Sequence, residues 1–548
     1  MQRMMSKIAA VFGLMMLLSA CATSNKQMAA SGGAPSITTD DLSRHLSFLA
    51  SDELQGRDTG SEGLQRATEY VANELSRLQL KPAGENGTYF QNYRLISRQL
   101  TDSTMITIAG SQTASFRFKH DFFPYLQSLH DGRETISGEV AFVGYGITAP
   151  EFQYDDFAGI DVKDKIVLAL RHEPQTPDTS ARFAGAETTR HSYINVKARA
   201  AEAAGAKAII IVNTPNDSGP SYYVEFKQVI DYLAQPLMQL ADKQAEEQGQ
   251  SIRVILADVK LADALLHGSG KSLSQLQTQI DGTITPNSFL FDRQTFSLTI
   301  DVKTKPVQAS NILGLLEGSD SQLKHEAVVY SAHLDHVGLN ASGEIFNGAD
   351  DDASGSSAVL EIAEAYATSS RKPKRSMLFV WFTGEEKGLL GSEYYAENPV
   401  VALNNTVANL NMDMVGRVRQ PGDSNPKNAG LAEEQTIYVV GGHQNPELKD
   451  INEASARAVG LFCDYRYGDP NHPKRVYYRS DHYNFARHGV PVLFFTTGEH
   501  EDYHQITDDI EKIDFRKLQR VAQMAFLTGW QVANQAKRAK PVNVPASN

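Results

Sequence analysis

Four short apolar runs in the C-terminal half of the chain each end in residues that bind metals or transfer protons. From about Phe289 onward, strand-like and helix-like patterns alternate, which predicts an open, mostly parallel α/β sheet flanked by helices. Functional groups in such sheets lie at the carboxyl ends of the strands, so one pocket is expected. The runs and the residues that follow them are Ala327 to Ala332 before His333-Leu334-Asp335, Met377 to Phe382 before Thr383-Gly384-Glu385-Glu386, Val407 to Met412 before Asp413, and Val490 to Thr497 before His504.

Three consecutive aspartates, Asp350, Asp351 and Asp352, lie between the first two runs, immediately before a helix-like segment. Carboxylates a few ångströms apart raise one another's pKa, so such a cluster is costly unless a cation neutralises it. The alternative is an acidic first helical turn, which the helix dipole favours. The nearby histidines and glutamates favour the metal interpretation.

The residues at these sites are too many for a single catalytic zinc ion, which takes three protein ligands and a water. If one carboxylate is shared, five ligands can serve two metal ions ~3.5–4 Å apart with a hydroxide held between them. Imidazole and carboxylate ligands suit zinc and also other divalent ions. The five predicted ligands are His333, Asp351, Glu386, Asp413 and His504.

Two further carboxylates near these ligands have predicted roles in the reaction. Asp335, two residues after His333, is expected on the same strand face, where it can orient the imidazole. Glu385 neighbours Glu386 and points elsewhere, so it can act as the general base that accepts a proton from water.

Length and charge limit the remaining possibilities. The 548 residues predict several domains, and the net charge of −13 argues against nucleic acid as a partner. After the first segment, no apolar run approaches the ~20 residues that a membrane-spanning helix needs.

The N-terminus has the pattern of an export signal. Arg3 and Lys7 precede the apolar stretch from Ile8 to Leu18, and Leu18-Ser19-Ala20-Cys21 resembles the lipobox of bacterial lipoproteins. The resemblance implies cleavage before Cys21, lipidation of Cys21 and an extracytoplasmic chain anchored to a bacterial membrane. The alternative is an ordinary signal peptide cut after Ala20.

Taken together, these motifs resemble the clan MH di-zinc peptidases, which include bacterial leucyl aminopeptidases, glutamate carboxypeptidase and glutaminyl cyclase. The matching motifs are His333-Leu334-Asp335, Gly348 to Gly355, Gly384-Glu385-Glu386, Asn411-Met412-Asp413 and Tyr503-His504. The resemblance implies that Asp351 bridges two zinc ions, that His333 and Asp413 complete one site, and that Glu386 and His504 complete the other. It also implies that Glu385 is the base and that Tyr477 supports the tetrahedral intermediate.

A region of different character interrupts this resemblance. Val143-Gly144-Tyr145-Gly146 and the run from Gly205 to Val212 look like a protease-associated domain, which implies a β-rich α/β insert that shapes access to the site. The predicted segments are a signal peptide at 1–20, a lipidated tether at 21–37, an N-terminal peptidase part at 38–106, the insert at 107–288, the catalytic part at 289–535 and a tail at 536–548.

The function implied by the resemblance is hydrolysis of N-terminal residues from peptides, with a carboxylate near the metals holding the substrate amine. Carboxypeptidase activity, with Arg417 or Arg479 gripping the substrate carboxylate, and single-zinc glutaminyl cyclase activity are alternatives. A one-zinc protease is a further alternative, because His500, Glu501 and His504 satisfy the H-E-x-x-H pattern. The last alternative is a non-catalytic binding protein.

Overall fold

The computed structural model describes residues 34–543, except 111–112, 125–130, 176–182, 184–187, 215–234, 244–251, 268 and 341. The predicted signal peptide and Cys21 lie outside the described residues. The chain divides into two compact units, one formed by Met1–Leu95 with Val307–Asn548 and the other by Ile96–Pro306.

The first unit is built on a sheet with a parallel centre. Ala327–His333 pairs in parallel with Ser376–Phe382 on one side and Thr406–Met412 on the other, and Val492–Thr496 continues the parallel set. The edges are antiparallel or short. Across the sheet the order is Lys81–Pro82, the end of Phe289–Leu316, Ser376–Phe382, Ala327–His333, Thr406–Met412, Val492–Thr496, Thr436–Gly441 and Phe462–Asp464.

The central strands are continuous apolar runs because helices cover both faces of the sheet. Every residue of Ala327–His333, Ser376–Phe382 and Thr406–Met412 is buried. One face packs against Thr39–Leu49, Glu62–Arg77, Gly355–Thr368, Pro446–Ala458 and Phe515–Asn534. The other packs against Leu390–Glu397 and His482–Ala486. These findings confirm the predicted α/β architecture.

Individual helices and strands begin and end where the local sequence favours it. The helix Glu62–Arg77 begins after Ser61, because the Ser61 side chain accepts a hydrogen bond from the backbone N–H of Leu64 at 3.1 Å. The four strands that were predicted to deliver the site residues all form, and their ends lie within two residues of the predicted bounds.

The second unit is a β-rich α/β domain, as predicted. Ile166–Leu170, Ala208–Val212 and Arg253–Ala257 pair in parallel. Its remaining strands and helices are Met105–Ala109, Thr113–Arg117, Phe122–Pro124, Gly132–Phe142, Thr148–Ala149, Tyr154–Asp155, Leu237–Leu240, Ile194–Ala203, Val259–Leu266 and Leu273–Thr283.

The second unit is wider than the insert predicted at 107–288. The strands Phe90–Leu100 and Phe289–Leu316 run through the two boundaries without a turn. The changes in sequence pattern that set the bounds of the predicted insert therefore lie inside the second unit and not at its ends.

The described part of the predicted tail, residues 536–543, is hydrogen-bonded to other parts of the first unit. Val542 donates its backbone N–H to the Gly489 carbonyl at 3.0 Å, and Asn445 donates to the Lys540 carbonyl at 2.8 Å. None of the helices within the described residues has the length and apolar character that a membrane span requires.

Candidate metal centre

The carboxyl edge of the parallel strands delivers the predicted ligands. His333 is the last residue of its strand, and Asp413 directly follows Thr406–Met412. Glu386 lies in the turn after Ser376–Phe382. His504 lies in the turn region that follows Val492–Thr496. The parallel arrangement thus gathers side chains that are far apart in sequence.

The loop that carries Asp351 is held by backbone hydrogen bonds and by a glycine. Asp508 accepts from the backbone N–H groups of Asp350 and Asp351 at 3.0 and 3.2 Å. Gly348 has φ +57°, and a Cβ there would meet the His336 ring at 2.5 Å. Only glycine combines this backbone conformation with such a close approach.

One group of potential ligands consists of His333, Asp351 and Asp413. His333 Nε2 lies 3.2 Å from Asp351 Oδ1 and 3.7 Å from Asp413 Oδ1. All three side chains are buried, with at most 9% of their surface exposed.

A second group consists of His336, Asp351, Glu386 and His504. His504 Nε2 lies 3.1 Å from Asp351 Oδ2 and 3.1 Å from Glu386 Oε2. The two groups therefore share Asp351, with one carboxylate oxygen turned toward each histidine.

In both groups, histidine ring nitrogens face carboxylate oxygens, and both kinds of atom present lone pairs to each other. His333 Nδ1 is 3.1 Å from the carbonyl oxygen of Asp335, so this nitrogen carries the proton and Nε2 presents a lone pair to the carboxylates. His333 Nε2, His504 Nε2 and Asp351 Oδ2 are buried without a hydrogen bond of acceptable geometry. Buried polar atoms normally find partners, and a cation between these atoms would supply them. The donor set therefore fits two divalent metal ions.

The electrostatics of the two histidines agree with a site for cations. Burial opposes protonation of His333, yet the carboxylates of Glu385 and Asp413 raise its pKa well above the ordinary value. Burial likewise opposes protonation of His504, and Glu386 and Asp351 raise its pKa well above the ordinary value. Both imidazoles therefore lie in a field that attracts positive charge.

His336 belongs to the site, although the sequence analysis did not single it out. Its Nδ1 donates to Glu386 Oε1 at 2.9 Å, and its ring packs edge-on against His504 at 5.6 Å. His336 is fully buried. The hydrogen bond occupies one oxygen of Glu386 and leaves Oε2 facing His504, so His336 orients that carboxylate. The adjacency of His336 to the His333-Leu334-Asp335 motif was the available signal.

Asp335 acts differently from the prediction. Its carboxylate is 4.0 Å from His333 Nδ1, and the contact to the imidazole comes from its backbone carbonyl. The strand ends at His333, so the two-residue alternation does not extend to Asp335. The carboxylate instead accepts from Thr59 Oγ1 at 2.9 Å and from the backbone N–H groups of Glu385 and Glu386 at 3.2 and 3.3 Å. Asp335 therefore fixes the Glu385–Glu386 turn.

A buried arginine ties the metal-site loops together. The Arg57 guanidinium donates to the carbonyls of Leu334 at 2.8 Å, Asn347 at 2.7 Å and Gly348 at 3.1 Å, and also to that of Leu49. Burial lowers the pKa of Arg57 to about 10, while nearby aspartates oppose this shift. The sequence offered no periodic signal for it, because Arg57 lies in a short irregular turn.

Glu385 lies beside both groups and, among the described residues, is a member of neither. Its Oε2 is 4.0 Å from His333 Nε2, and its side chain is 10% exposed. Burial raises the pKa of Glu385 well above the ordinary value, and His333 opposes this. The carboxylate lines a cavity together with His333, Asp351, Glu386, Asp413, Met414, Gly430, Tyr467, Lys474, Val476, Arg479, Phe494, Thr496, Gly498, Glu499 and Tyr503.

Tyr477 does not line this cavity. It is 3% exposed and packs in an apolar cluster, with its ring 5.7 Å from that of His482. The residue is in the expected loop, but its side chain points into the core. Tyr503 lines the cavity instead and stacks on His504 at 4.0 Å between ring centroids.

The one-zinc alternative finds no support in the geometry. Residues 501–504 form a turn rather than a helix, so His500 and His504 do not share a helical face. His500 Nε2 contacts Asp350 Oδ2 at 3.2 Å, and Glu501 accepts from the Asn425 side chain at 2.6 Å. Within the described part of the chain, neither residue belongs to a group that could hold a metal.

The two arginines considered for carboxylate binding are both paired. Arg417 contacts Asp502 at 2.7 Å and Asp508 at 3.6 Å, outside the cavity lining. Arg479 lines the cavity, and its guanidinium contacts Glu499 at 2.5 Å. Neither presents an uncompensated charge to a substrate.

Comparison with known proteins finds two family models that match segments of the chain. Residues 311–528 match the family model for Peptidase family M28, and residues 136–249 match the PA domain. Both matches agree with the resemblance predicted from the motifs, a peptidase interrupted by a protease-associated domain.

Relatives and solved structures are similar over different lengths. A probable zinc metalloprotease of Pyricularia oryzae is 27% identical over 44% of this chain and 53% of that protein. Aminopeptidase YwaD of Bacillus subtilis is 24% identical over 75% of this chain and 72% of that protein. The chain covers little more than half of the Pyricularia oryzae relative.

Among solved structures, an aminopeptidase from Aneurinibacillus sp. strain AM-1 has a TM-score of 0.55 and 19% identity, covering 94% of this chain and 98% of that one. A zinc aminopeptidase from Bacillus subtilis has a TM-score of 0.52 and 19% identity, covering 92% and 98%. At these identities the likeness concerns the fold.

Proposed function

We propose that this protein is a co-catalytic di-zinc aminopeptidase that removes N-terminal residues from peptides. The observation that carries the proposal is the position of Asp351, whose two oxygens face His333 and His504 at 3.2 and 3.1 Å. His333 and Asp413 would hold one ion, Glu386 and His504 the other, and Asp351 both. Zinc in such a site supplies a Lewis acid and makes water a stronger nucleophile at neutral pH.

Three further residues of the chain have roles in the proposed reaction. Glu385 is free of both ligand groups and faces the same cavity, so it accepts a proton from the attacking water and passes it to the leaving amine. Asp335 holds the turn that presents Glu385, and His336 keeps one oxygen of Glu386 occupied.

Two observations favour cleavage at the amino terminus of a peptide substrate over cleavage at its carboxyl terminus. The pairing of Arg417 and Arg479 with carboxylates removes the guanidinium groups that a carboxypeptidase would use. The cavity floor is rich in carboxylates, which suit a substrate ammonium group. The presence of two ligand groups argues against a single-zinc glutaminyl cyclase, and the intact ligands with Glu385 argue against a non-catalytic binding protein.

A peptide panel tests the proposal. Purified protein should hydrolyse leucine p-nitroanilide and C-terminally amidated peptides, whereas N-acetylated peptides should resist, because the free amine is required for binding. A strong chelator should abolish turnover, and added zinc should restore it. Release of C-terminal residues from N-acetylated peptides would instead make the protein a carboxypeptidase.

We also propose that the chain is exported and held at a bacterial membrane by a lipid on Cys21. Support comes from the N-terminal sequence pattern alone. In cell fractionation, the full-length protein should partition with membranes, and a Cys21→Ser variant should lose the anchor. Equal membrane association of both forms would contradict lipidation at Cys21.

A further inference from the structure

Besides Glu385 and the candidate metal ligands, the cavity lining carries three charged side chains, Lys474, Arg479 and Glu499. Arg479 and Glu499 neutralise each other through their contact at 2.5 Å. The remaining cation is the ammonium group of Lys474. Among the residues that the structure describes, no carboxylate lies within ion-pair distance of it.

Lys474 and Tyr467 converge on the same point of the cavity wall. A Cβ built on Gly430 would lie 3.3 Å from Lys474 Nζ and 3.7 Å from the Tyr467 hydroxyl oxygen. Lys474 Nζ also stands 5.8 Å from the centre of the Tyr467 ring. The absence of a side chain at Gly430 therefore leaves open a point that lies near both the ammonium group and the phenol hydroxyl.

The surroundings define what such a pair would bind. Met414, Val476 and Phe494 form an apolar part of the same cavity, so a substrate group with an aliphatic stem fits beside them. An ammonium group and a hydroxyl donor together favour an anion that accepts hydrogen bonds from both. In a peptide substrate, that anion is a carboxylate.

We propose that Lys474 and Tyr467 form a carboxylate-binding subsite within the substrate cavity. The inference rests on the proposed peptidase function and adds the class of substrate to it. The carboxylate has two sources in peptides. One is the side chain of an N-terminal aspartate or glutamate, and the other is the free C-terminus of a very short peptide.

Matched substrates separate these sources. Glutamate p-nitroanilide against glutamine p-nitroanilide tests the side chain, and Leu-Gly against Leu-Gly-amide tests the C-terminus. In the zinc-loaded wild-type enzyme, one of the two acidic substrates should have a kcat/KM about tenfold above its neutral partner, as expected for a hydrogen bond to a charged group. The ratio within each pair cancels any general change in turnover.

Variants assign the preference to Lys474. Lys474→Gln should bring the favoured ratio close to one, Lys474→Arg should retain much of it, and Lys474→Glu should invert it. Lys427→Gln is the matched control, because Lys427 is exposed and does not line the cavity. This control should keep the wild-type ratio.

Each outcome decides between the two claims. Loss of the preference in Lys474→Gln alone supports the subsite and identifies the source of the carboxylate. Equal ratios in wild type and Lys474→Gln, with leucine p-nitroanilide still hydrolysed, overturn the subsite and leave the peptidase function standing. Failure of the zinc-loaded wild type on every substrate overturns the peptidase function and the inference with it.

Discussion

Replacing Glu385 by glutamine is expected to lower kcat for leucine p-nitroanilide by about 10²–10⁴-fold, the usual contribution of a general base. Glutamine keeps the size of the side chain and cannot accept the proton of the attacking water. Glu385 belongs to neither ligand group within the described residues, so the variant should retain the zinc content of the wild type. Steady-state kinetics and metal analysis of the same preparation measure both quantities.

Glu501→Gln is the control for this experiment. Glu501 would be the base if His500 and His504 formed a one-zinc site, yet its carboxylate hydrogen-bonds Asn425. Its replacement should leave kcat within about twofold, as is usual for surface positions. Wild-type turnover in Glu385→Gln, or a large loss in Glu501→Gln, would show that the base has been misassigned.

Asp351→Ala should empty both metal positions, because Asp351 is the one carboxylate that the two ligand groups share. Turnover should fall at least ~10³-fold, since metal-assisted hydrolysis requires both the Lewis acid and the activated water. Zinc bound per chain, measured after dialysis, should drop from two to near zero.

His336→Ala should weaken zinc binding less than Asp351→Ala does, and so provides a comparison. His336 contacts Glu386 and the Oδ2 atom of Asp351, which is the oxygen that faces His504 in the second ligand group. Loss of such an orienting residue typically costs about 10–100-fold in metal affinity. Chelator competition should therefore find one weakened zinc ion and one with wild-type affinity. Equal weakening of both ions in His336→Ala, or one retained ion in Asp351→Ala, would contradict the division into two sites that share Asp351.

The sequence predicted the ligand positions because a parallel sheet converts strand ends into neighbours. The run Ala327 to Ala332 is apolar apart from Ser331 and leads into His333. The strand Thr406–Met412 is apolar apart from its threonine and two asparagines and leads into Asp413. Side chains that directly follow such strands must lie at one edge, whatever the length of chain between them. Four of the predicted ligands meet for this reason, and the fifth, Asp351, comes from the loop before the helix Gly355–Thr368.

The site residues that were not predicted lie in turns, where side-chain directions do not follow the regular repeat of a helix or strand. His336 and Asp335 follow the end of the strand, so their directions depend on the turn and cannot be counted from His333. Arg57 reaches the site from a short irregular turn in the N-terminal segment, and only its contacts reveal its role. Tyr477 lies in a short 3-10 turn whose orientation no pattern specified.

The second compact unit extends beyond the predicted insert for a related reason. Phe90–Leu100 and Phe289–Leu316 are continuous strands across the unit boundaries, so the change of unit does not coincide with the end of an element. Inside the insert, by contrast, the run from Gly205 to Val212 contains the strand Ala208–Val212.

A crystal structure of the zinc-loaded protein, with anomalous scattering recorded at the zinc edge, tests the central claim most directly. The account predicts two peaks ~3.5–4 Å apart, one bound by His333 and Asp413, the other by Glu386 and His504, with Asp351 between them. A single zinc ion, or an ion bound by His500 and His504, would contradict it.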